Sequence, residues 1–317
     1  MEARHDSVLL PEALEALAVQ PDDVVVDATI GGAGHFAALL AALGKDGVII
    51  GIDADSAAVE RARAAYAEDR RADRPIAHLI CDNFRNLGRI LERLGVGHVH
   101  KALFDLGWSG YQIAAPRGFS FQKDEPLLMT YADGGETAAD LVNSMSEEAL
   151  ADLIYTYGEE RFARGITRSI VATRAKARIL TTGQLVTAVL AGTPRWYHER
   201  KIHPATKTFQ ALRIAANDEL AALRDGLAAA LAALAPRGRL AVITFHSIED
   251  RIVKGILRNA VYEGLGSLLP KKPVVPGRVE ILANRRARSA KLRVFERATV
   301  SREAEPADPP NPAFSYA

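Results

Sequence analysis

Asp27-Ala28-Thr29-Ile30-Gly31-Gly32-Ala33-Gly34-His35 lies between a short β-branched apolar run at 24–26 and a helical pattern at 35–43 that Gly44 stops. Glycines in a strand-to-helix turn let the backbone approach a ligand closely at the carboxyl end of a sheet. Working outward, the alternation repeats. Strands are predicted at 48–52, 76–80 and 102–106, and helices at 56–66, with Asp55 as N-cap, and at 87–94. Strands spaced by helices imply a parallel sheet with right-handed crossovers. The fold class expected is α/β and Rossmann-like, with helices on both faces of a mostly parallel sheet.

Asp53 ends the second predicted strand, where a carboxylate can accept hydrogen bonds from both hydroxyls of a ribose. Two ligand classes share this pairing of turn and acid. From Gly32 through Gly34 to Ala37 the run matches the G-x-G-x-x-A form of the dinucleotide fingerprint, so a nicotinamide cofactor competes with S-adenosylmethionine. Asp27, inside the turn, favours the second. A carboxylate there repels a pyrophosphate but can meet a cationic amino group or orient the loop. Phe84, after the third strand, is placed either to cover an adenine or to pack in the core. Asp105 ends the fourth strand and points to the same crevice, as a hydrogen-bond acceptor for a reacting amine or the cofactor, or as a loop anchor.

The pattern breaks over 107–135, which carries glycines, prolines and aromatics without periodicity. Helical signals fill 137–191: one helix opened by Ser146-Glu147-Glu148 and closed by Gly158, another at 160–174, a third from about Thr181. A long helix is predicted over 206–234, then a strand at 240–245, a helix at 249–259, and two strands at 279–282 and 292–296 that form an antiparallel pair. An all-helical domain, 109–205, is thus inserted into an α/β domain made of 1–108 and 206–300, and 301–317, rich in Pro, Ala and acids, reads as a disordered tail.

Hydrophobic residues are 48% and charged residues 25% of the chain, enough for a sizeable core. The single cysteine, Cys81, excludes an intrachain disulfide and fits a reducing, cytoplasmic setting. At the end of a predicted buried strand it reads as a small hydrophobe. Neither a signal peptide nor a membrane span is expected. Net charge is only +1, but its distribution is uneven: 161–207 holds ten Lys/Arg against one acid, and 251–298 holds twelve against three. Two basic regions in an otherwise acidic chain suggest a polyanionic partner, with solvated helix faces as the plainer alternative. His35, His203 and His246 show no metal-like spacing, and no metal is expected.

Longer strings are more specific. Arg117-Gly118-Phe119-Ser120-Phe121, Tyr157-Gly158-Glu159-Glu160-Arg161-Phe162, His203-Pro204-Ala205-Thr206 running on through Thr208-Phe209-Gln210-Ala211-Leu212-Arg213-Ile214, and Phe245-His246-Ser247-Ile248-Glu249-Asp250-Arg251 occur in that order. In these the chain resembles the RsmH (MraW) family, which methylates N4 of a cytidine in the decoding region of small-subunit rRNA. The resemblance runs from His5 to Arg297. It implies a class I methyltransferase fold, S-adenosyl-L-methionine as cofactor, and small-subunit rRNA or an assembled 30S particle as partner. Cofactor contacts are implied at Ala33, Gly34, His35, Asp53, Phe84, Asp105 and Gln112, to which the turn itself adds Asp27 and Gly32.

Asp105 is the first candidate for the catalytic polar contact. An unstacked base can lie on Trp108, Tyr111, Phe119, Trp196 or Tyr197, although most of these rings are expected in packing. Phosphates are expected at Arg174, Lys176, Arg178, Arg200, Lys201, Lys207, Arg285, Arg286 and Arg288. The oligomeric state, monomer or homodimer, is left open. The sequence departs from the family pattern where Ala33 replaces a glycine, Ser109-Gly110 replaces Ser-Ser, and Ala114 replaces an acid. After Pro126 the family reads Leu-Asp-Met-Arg-Met-Asp, and here the chain has Leu127-Leu128-Met129-Thr130-Tyr131-Ala132-Asp133. An aspartate and an arginine are missing near the substrate side. A non-catalytic RNA-binding assembly factor on the same fold is therefore a rival, beside the nicotinamide-dependent oxidoreductase.

Overall fold

The computed structural model describes residues 7–69, 71–107, 115–132 and 134–299. The strands are β1 (Val24–Asp27), β2 (Val48–Asp53), β3 (Ile76–Cys81), β4 (Val99–Asp105), β5 (Leu234–Thr244), β6 (Gly266–Leu268) and β7 (Lys291–Arg297). They form one sheet in the order β3-β2-β1-β4-β5-β7-β6. Neighbours from β3 to β5 are parallel, β7 is antiparallel to β5, and β6 is antiparallel to β7. This is the mostly parallel, Rossmann-like α/β sheet that the strand–helix alternation implied.

Side chains alternate across the strands. Val25, Ile49, Leu103 and Ala241 pack on one face with Phe36, Leu39 and Val59. Val26, Ile50, Ala102 and Val242 pack on the other with Leu91, Leu227 and Leu257. Burial on both faces explains why these strands read as continuous apolar runs. β3 lies at the sheet edge and is half-buried at best, and Cys81 at its end is exposed. The expectation of a buried cysteine is thereby corrected.

Between β4 and β5 a helical layer builds its own core from Leu127, Leu141, Leu150, Ile154, Ile166, Leu185, Phe209 and Leu212. Its helices include Ala138–Ser144, Glu147–Gly158, Ala163–Arg174, Thr182–Ala191 and Ala205–Ala216. Thr137, Ser146 and Thr181 cap the first, second and fourth through their hydroxyls.

The single helix expected over 206–234 is two. Ala205–Ala216 packs in the helical core, whereas Glu219–Ala233 contributes Leu223 and Leu227 to the core on the sheet. Asp218 between them is left-handed, with φ 48°. Asn217 beside it donates from Nδ2 to the carbonyls of Met129 (2.7 Å) and Arg213 (2.9 Å), and its Oδ1 accepts the Tyr131 N–H (2.9 Å). Asp218 accepts from Arg85 at 2.8 Å.

β5 begins earlier than expected, at Leu234, and carries an irregularity opposite Val99–Lys101, with Arg237 at φ 60°. The strand expected at 279–282 is instead the helix Arg278–Ala283, with Val279 83% and Leu282 74% exposed. The partner of β7 is the three-residue β6.

Candidate active site

The carboxyl ends of β1, β2, β4 and β5 open on a cleft of about 930 Å³ including its open mouth. On the β2 side, Asp53 accepts the Gly31 N–H on Oδ2 (2.8 Å) and the Asp55 N–H on Oδ1 (2.8 Å). Burial pushes its carboxyl up to about 6, against the pull of those two amides. Arg61 fixes the turn from outside through two bonds to the Gly31 carbonyl, 3.1 and 2.9 Å.

The turn is tight. Ala33 sits at φ 63°, a left-handed conformation that favours the glycine of the family pattern. A Cβ on Gly34 would lie 2.1 Å from Ser7 Oγ, so Gly34 is small because the N-terminal segment crosses it. Gly32, Gly34 and Ser7 line the cleft.

Asp27 is fully buried beneath the turn and does not line the cleft. Its Oδ1 accepts the Thr29 N–H (3.1 Å), and Oδ2 has no hydrogen-bond partner among the described residues. Burial pushes the carboxyl up to about 7, opposed by His35. Of the two roles read from the sequence, the geometry gives Asp27 the loop-orienting one. Ala33 also lies behind the cleft wall.

His35 is 4% exposed, and its Nδ1 stands 3.4 Å from Asp105 Oδ2. Burial works to lower the imidazole's pKa, but the bond to Asp105 and the charges of Asp105 and Asp27 outweigh it and raise it. The Asp105 backbone N–H donates to Thr29 Oγ1 at 2.6 Å, which ties the β4 tip to the β1 turn. Asp105 Oδ1 is buried without a partner among the described residues. A buried carboxylate oxygen left unpaired at the tip of β4 is an acceptor awaiting a donor or cation.

Phe84 also lines the cleft, with its ring edge-on to Phe104 (5.5 Å, 78°). Gln112, like Trp108 and Tyr111, lies outside the described residues. Gly32, Gly34, His35, Asp53, Phe84 and Asp105 thus meet at one cleft, with Asp27 and Ala33 supporting it.

The β5 side carries residues that sequence reasoning did not single out. Tyr131, Asn217, Glu219 and Glu249 line it. Arg213, 6% exposed, grips Glu219 with Nε 2.8 Å from Oε1 and Nη2 donating to Oε2 at 2.9 Å. The Tyr131 hydroxyl donates to the same Oε1 at 2.9 Å. Glu249 caps the helix Ser247–Tyr262 with His246, and its Oε2 accepts the Phe245 N–H at 2.8 Å. Burial works to raise the Glu249 carboxyl's pKa, but His246 and Arg213 more than offset it.

Ligand atoms of Glu219, His246 and Glu249 lie within 4.8 Å of one another. This grouping corrects the reading that His246 has no metal-like neighbours. His246 and Glu249 are three residues apart on one helix, and Glu219 joins from another. The guanidinium of Arg213 supplies the positive charge at this spot.

The basic residues divide. Arg174 donates to the carbonyls of Val142 (2.7 Å) and Met145 (2.6 Å), and Lys207 donates to that of Glu159 (2.6 Å); both satisfy helix ends. Lys176 and Arg178 are exposed, with Arg178 3.9 Å from Asp140. Arg200, Lys201 and Ile202 line one surface notch with Arg288, which is distant in sequence, and Arg285 and Arg286 are exposed beside Arg288 in the chain. Trp196 is 53% exposed with the Arg161 guanidinium 4.9 Å from its ring, whereas Tyr197 and Phe119 are buried.

Comparison with known proteins adds the family. The model of the MraW methylase family matches residues 2–298. The chain belongs to the MraW methylase family. It is 48% identical over 295 residues to the ribosomal RNA small subunit methyltransferase H of Deinococcus radiodurans, covering 93% of this chain and 90% of that one. To the protein of the same name from Geobacter sulfurreducens it is 46% identical over 316 residues, covering 94% and 100%. Among solved structures, an rRNA methylase from Streptococcus thermophilus aligns over 91% of this chain and 93% of its own at 12% identity, with a TM-score of 0.42. Membership of a methylase family decides against the nicotinamide cofactor that the glycine-rich turn alone allowed. No helix among the described residues is long and apolar enough to cross a membrane.

Proposed function

We propose that this chain transfers a methyl group from S-adenosyl-L-methionine to the N4 amine of a cytidine in the decoding region of small-subunit (16S) rRNA, in the cytoplasm, on free RNA or an assembled 30S particle. The observation that carries this reading is the buried Oδ1 of Asp105 at the β4 tip, unpaired among the described residues, on the wall of the same cleft as Asp53. Relatives named as small-subunit rRNA methyltransferases support the substrate.

The residues present fit the cofactor. After its two backbone bonds Asp53 keeps lone pairs for two ribose hydroxyls. Gly32 and Gly34 allow close approach, Phe84 flanks the adenine end, and the buried unpaired oxygen of Asp105 on the cleft wall suits a cation. Gln112 completes the set by family resemblance. When bound, S-adenosylmethionine supplies an electrophilic methyl on a sulfonium.

The protein's own part is placement. A cytosine amine is a poor nucleophile because its lone pair is delocalised into the ring. Holding the nitrogen in line contributes on the order of 7–11 kcal/mol. Asp105 accepts a hydrogen bond from the amine as positive charge develops on it. Residues 109–205, with the helix Ala205–Ala216 that packs in their core, serve as the substrate-recognition domain on the donor-binding domain formed by 1–108 and the rest of 206–300. RNA phosphates meet Arg200, Lys201, Arg288, Arg285, Arg286, Lys176, Arg178 and the two remaining donors of Lys207, while Arg174 is spent on two helix-end carbonyls.

The test is methyl incorporation into 30S subunits from a strain lacking this modification, followed by mass mapping of the product. One methyl on a decoding-region cytidine N4 is expected. Absence of incorporation, with RNA binding retained, supports the non-catalytic assembly factor instead.

A further inference from the structure

Across the sheet tips the order is β2, β1, β4, β5. Asp53 marks the first, the glycine turn the second, Asp105 the third, and Phe245 with Glu249 the fourth. If the ribose is anchored at Asp53, the part of the cleft beyond Asp105, under the β5 tip, lies past the donor. The wall there is made by Tyr131, Asn217, Glu219 and Glu249. We propose that this wall receives the acceptor nucleobase, that Glu219 accepts a hydrogen bond from its exocyclic amine, and that Tyr131 is the positioning residue that holds the Glu219 carboxylate for it. The inference rests on the methyltransferase reading above and names the base-recognition site within it.

The chemistry of the wall selects for N–H donors. It presents two carboxylates, Glu219 and Glu249. The side chain of Asn217 is spent on the backbone of Met129, Arg213 and Tyr131. Glu219 receives Arg213 on both oxygens and Tyr131 on one, three contacts for a group with about four acceptor positions. The remaining capacity belongs to a carboxylate that lines the cleft. An amine meets it; a carbonyl at the same place on uracil would face oxygen with oxygen. Arg213 cancels one of the two negative charges, so a neutral base is not required to bring a full positive charge.

Tyr131 is held more firmly than a loop residue needs to be. Its ring stacks on Phe119 (5.4 Å, 14°), its N–H donates to Asn217, and its carbonyl accepts from Arg117 at 2.8 Å. Burial and the neighbouring carboxylates raise its phenol well above the usual range, so the hydroxyl stays a donor.

The experiment titrates cytidine 5′-monophosphate and uridine 5′-monophosphate into the full-length protein saturated with S-adenosylhomocysteine, by NMR or calorimetry. The wild type is expected to prefer the cytidine nucleotide by about tenfold or more. Tyr131→Phe, which removes one oxygen and keeps the stacked ring, should retain its melting temperature and S-adenosylhomocysteine affinity while the preference falls to about threefold or less. Glu219→Gln, which still accepts from Tyr131, should abolish the preference. Equal binding of the two nucleotides by the wild type overturns the proposal, and so does a full preference in folded Tyr131→Phe. Failure of the wild type to methylate 30S subunits strikes the functional reading instead and leaves the nucleotide preference to be read on its own.

Discussion

His35 and Asp105 meet in the cleft wall, Nδ1 to Oδ2 at 3.4 Å, so that among the described residues only one oxygen of the carboxylate is engaged. The other is the acceptor assigned above to the reacting amine. Asp105→Asn keeps the backbone bond to Thr29 but removes the charge. Single-turnover methyl transfer is expected to fall by about 100-fold or more. A variant with near wild-type rate would remove Asp105 from the chemistry.

Three groups around the cleft titrate in the same sense. Asp27 is raised to about 7 and Asp53 to about 6 by burial, and His35 is raised through Asp105 despite its burial. A buried acid with a raised pKa costs stability once it ionises, so the penalty grows as pH climbs from about 4 to about 7; for Asp27 it is roughly 4 kcal/mol. The His35 contribution is present below pH 6.5 and is lost as pH rises through its folded pKa. The ligand-free protein should therefore melt at lower temperature at pH 7.5 than at about pH 5.5, and Asp27→Asn should flatten that slope. A cationic ligand favours the ionised acids, so S-adenosylmethionine should bind more tightly at the higher pH. Calorimetry across this window checks both.

Glycine substitutions separate a functional contact from simple propensity. At Gly34 a methyl would strike Ser7, whereas at Gly255, inside the helix Ser247–Tyr262, it meets nothing within 4 Å. Gly34→Ala should turn the Ser7 hydroxyl out of its place in the cleft wall and weaken cofactor binding at little cost in stability. Gly255→Ala should stabilise by up to about 1 kcal/mol without touching activity. Thermal melts with and without S-adenosylhomocysteine distinguish the two.

RNA affinity should depend steeply on salt. With about five phosphates neutralised on a single strand, the slope of log K against log salt is about −3.5. Replacing Arg200, Lys201 and Arg288 together by alanine should reduce its magnitude by about 2. The same change at Arg174 should destabilise the helical layer and leave the slope almost unchanged. A flat response in the wild type would take the basic notch out of the interface.

The parallel strands were readable because burial on both faces writes an uninterrupted apolar run, as in Val48–Asp53. Such a run is ambiguous when short. Val279–Leu282 has the composition of a strand, but its side chains stay in solvent on a turn and a half of helix. The true partner of β7, Gly266–Leu268, begins on a glycine and is too brief to show alternation. The break in the long helix left a local trace, since Asn217 and Asp218 are residue types that tolerate a left-handed turn.

At the site, Asp53 and Asp105 could be assigned from chain position alone, because strand ends in a parallel sheet share one rim. Tyr131, Arg213 and Glu219 could not. Their meeting depends on how the helical layer docks, which no local pattern encodes. Charge was equally mute about Arg174: a cation that closes a helix end and one that awaits a phosphate look the same in a sequence.

The pair Asn217–Asp218 ties the order of one loop to the affinity for cofactor. One residue fastens the loop that carries Tyr131, and its neighbour clasps Arg85, next in sequence to the ring assigned to adenine. The two ends of the cleft are thus hung from a single pivot. Asn217→Ala is therefore expected to loosen the Tyr131 loop and to weaken S-adenosylhomocysteine binding together, which titration of that variant checks.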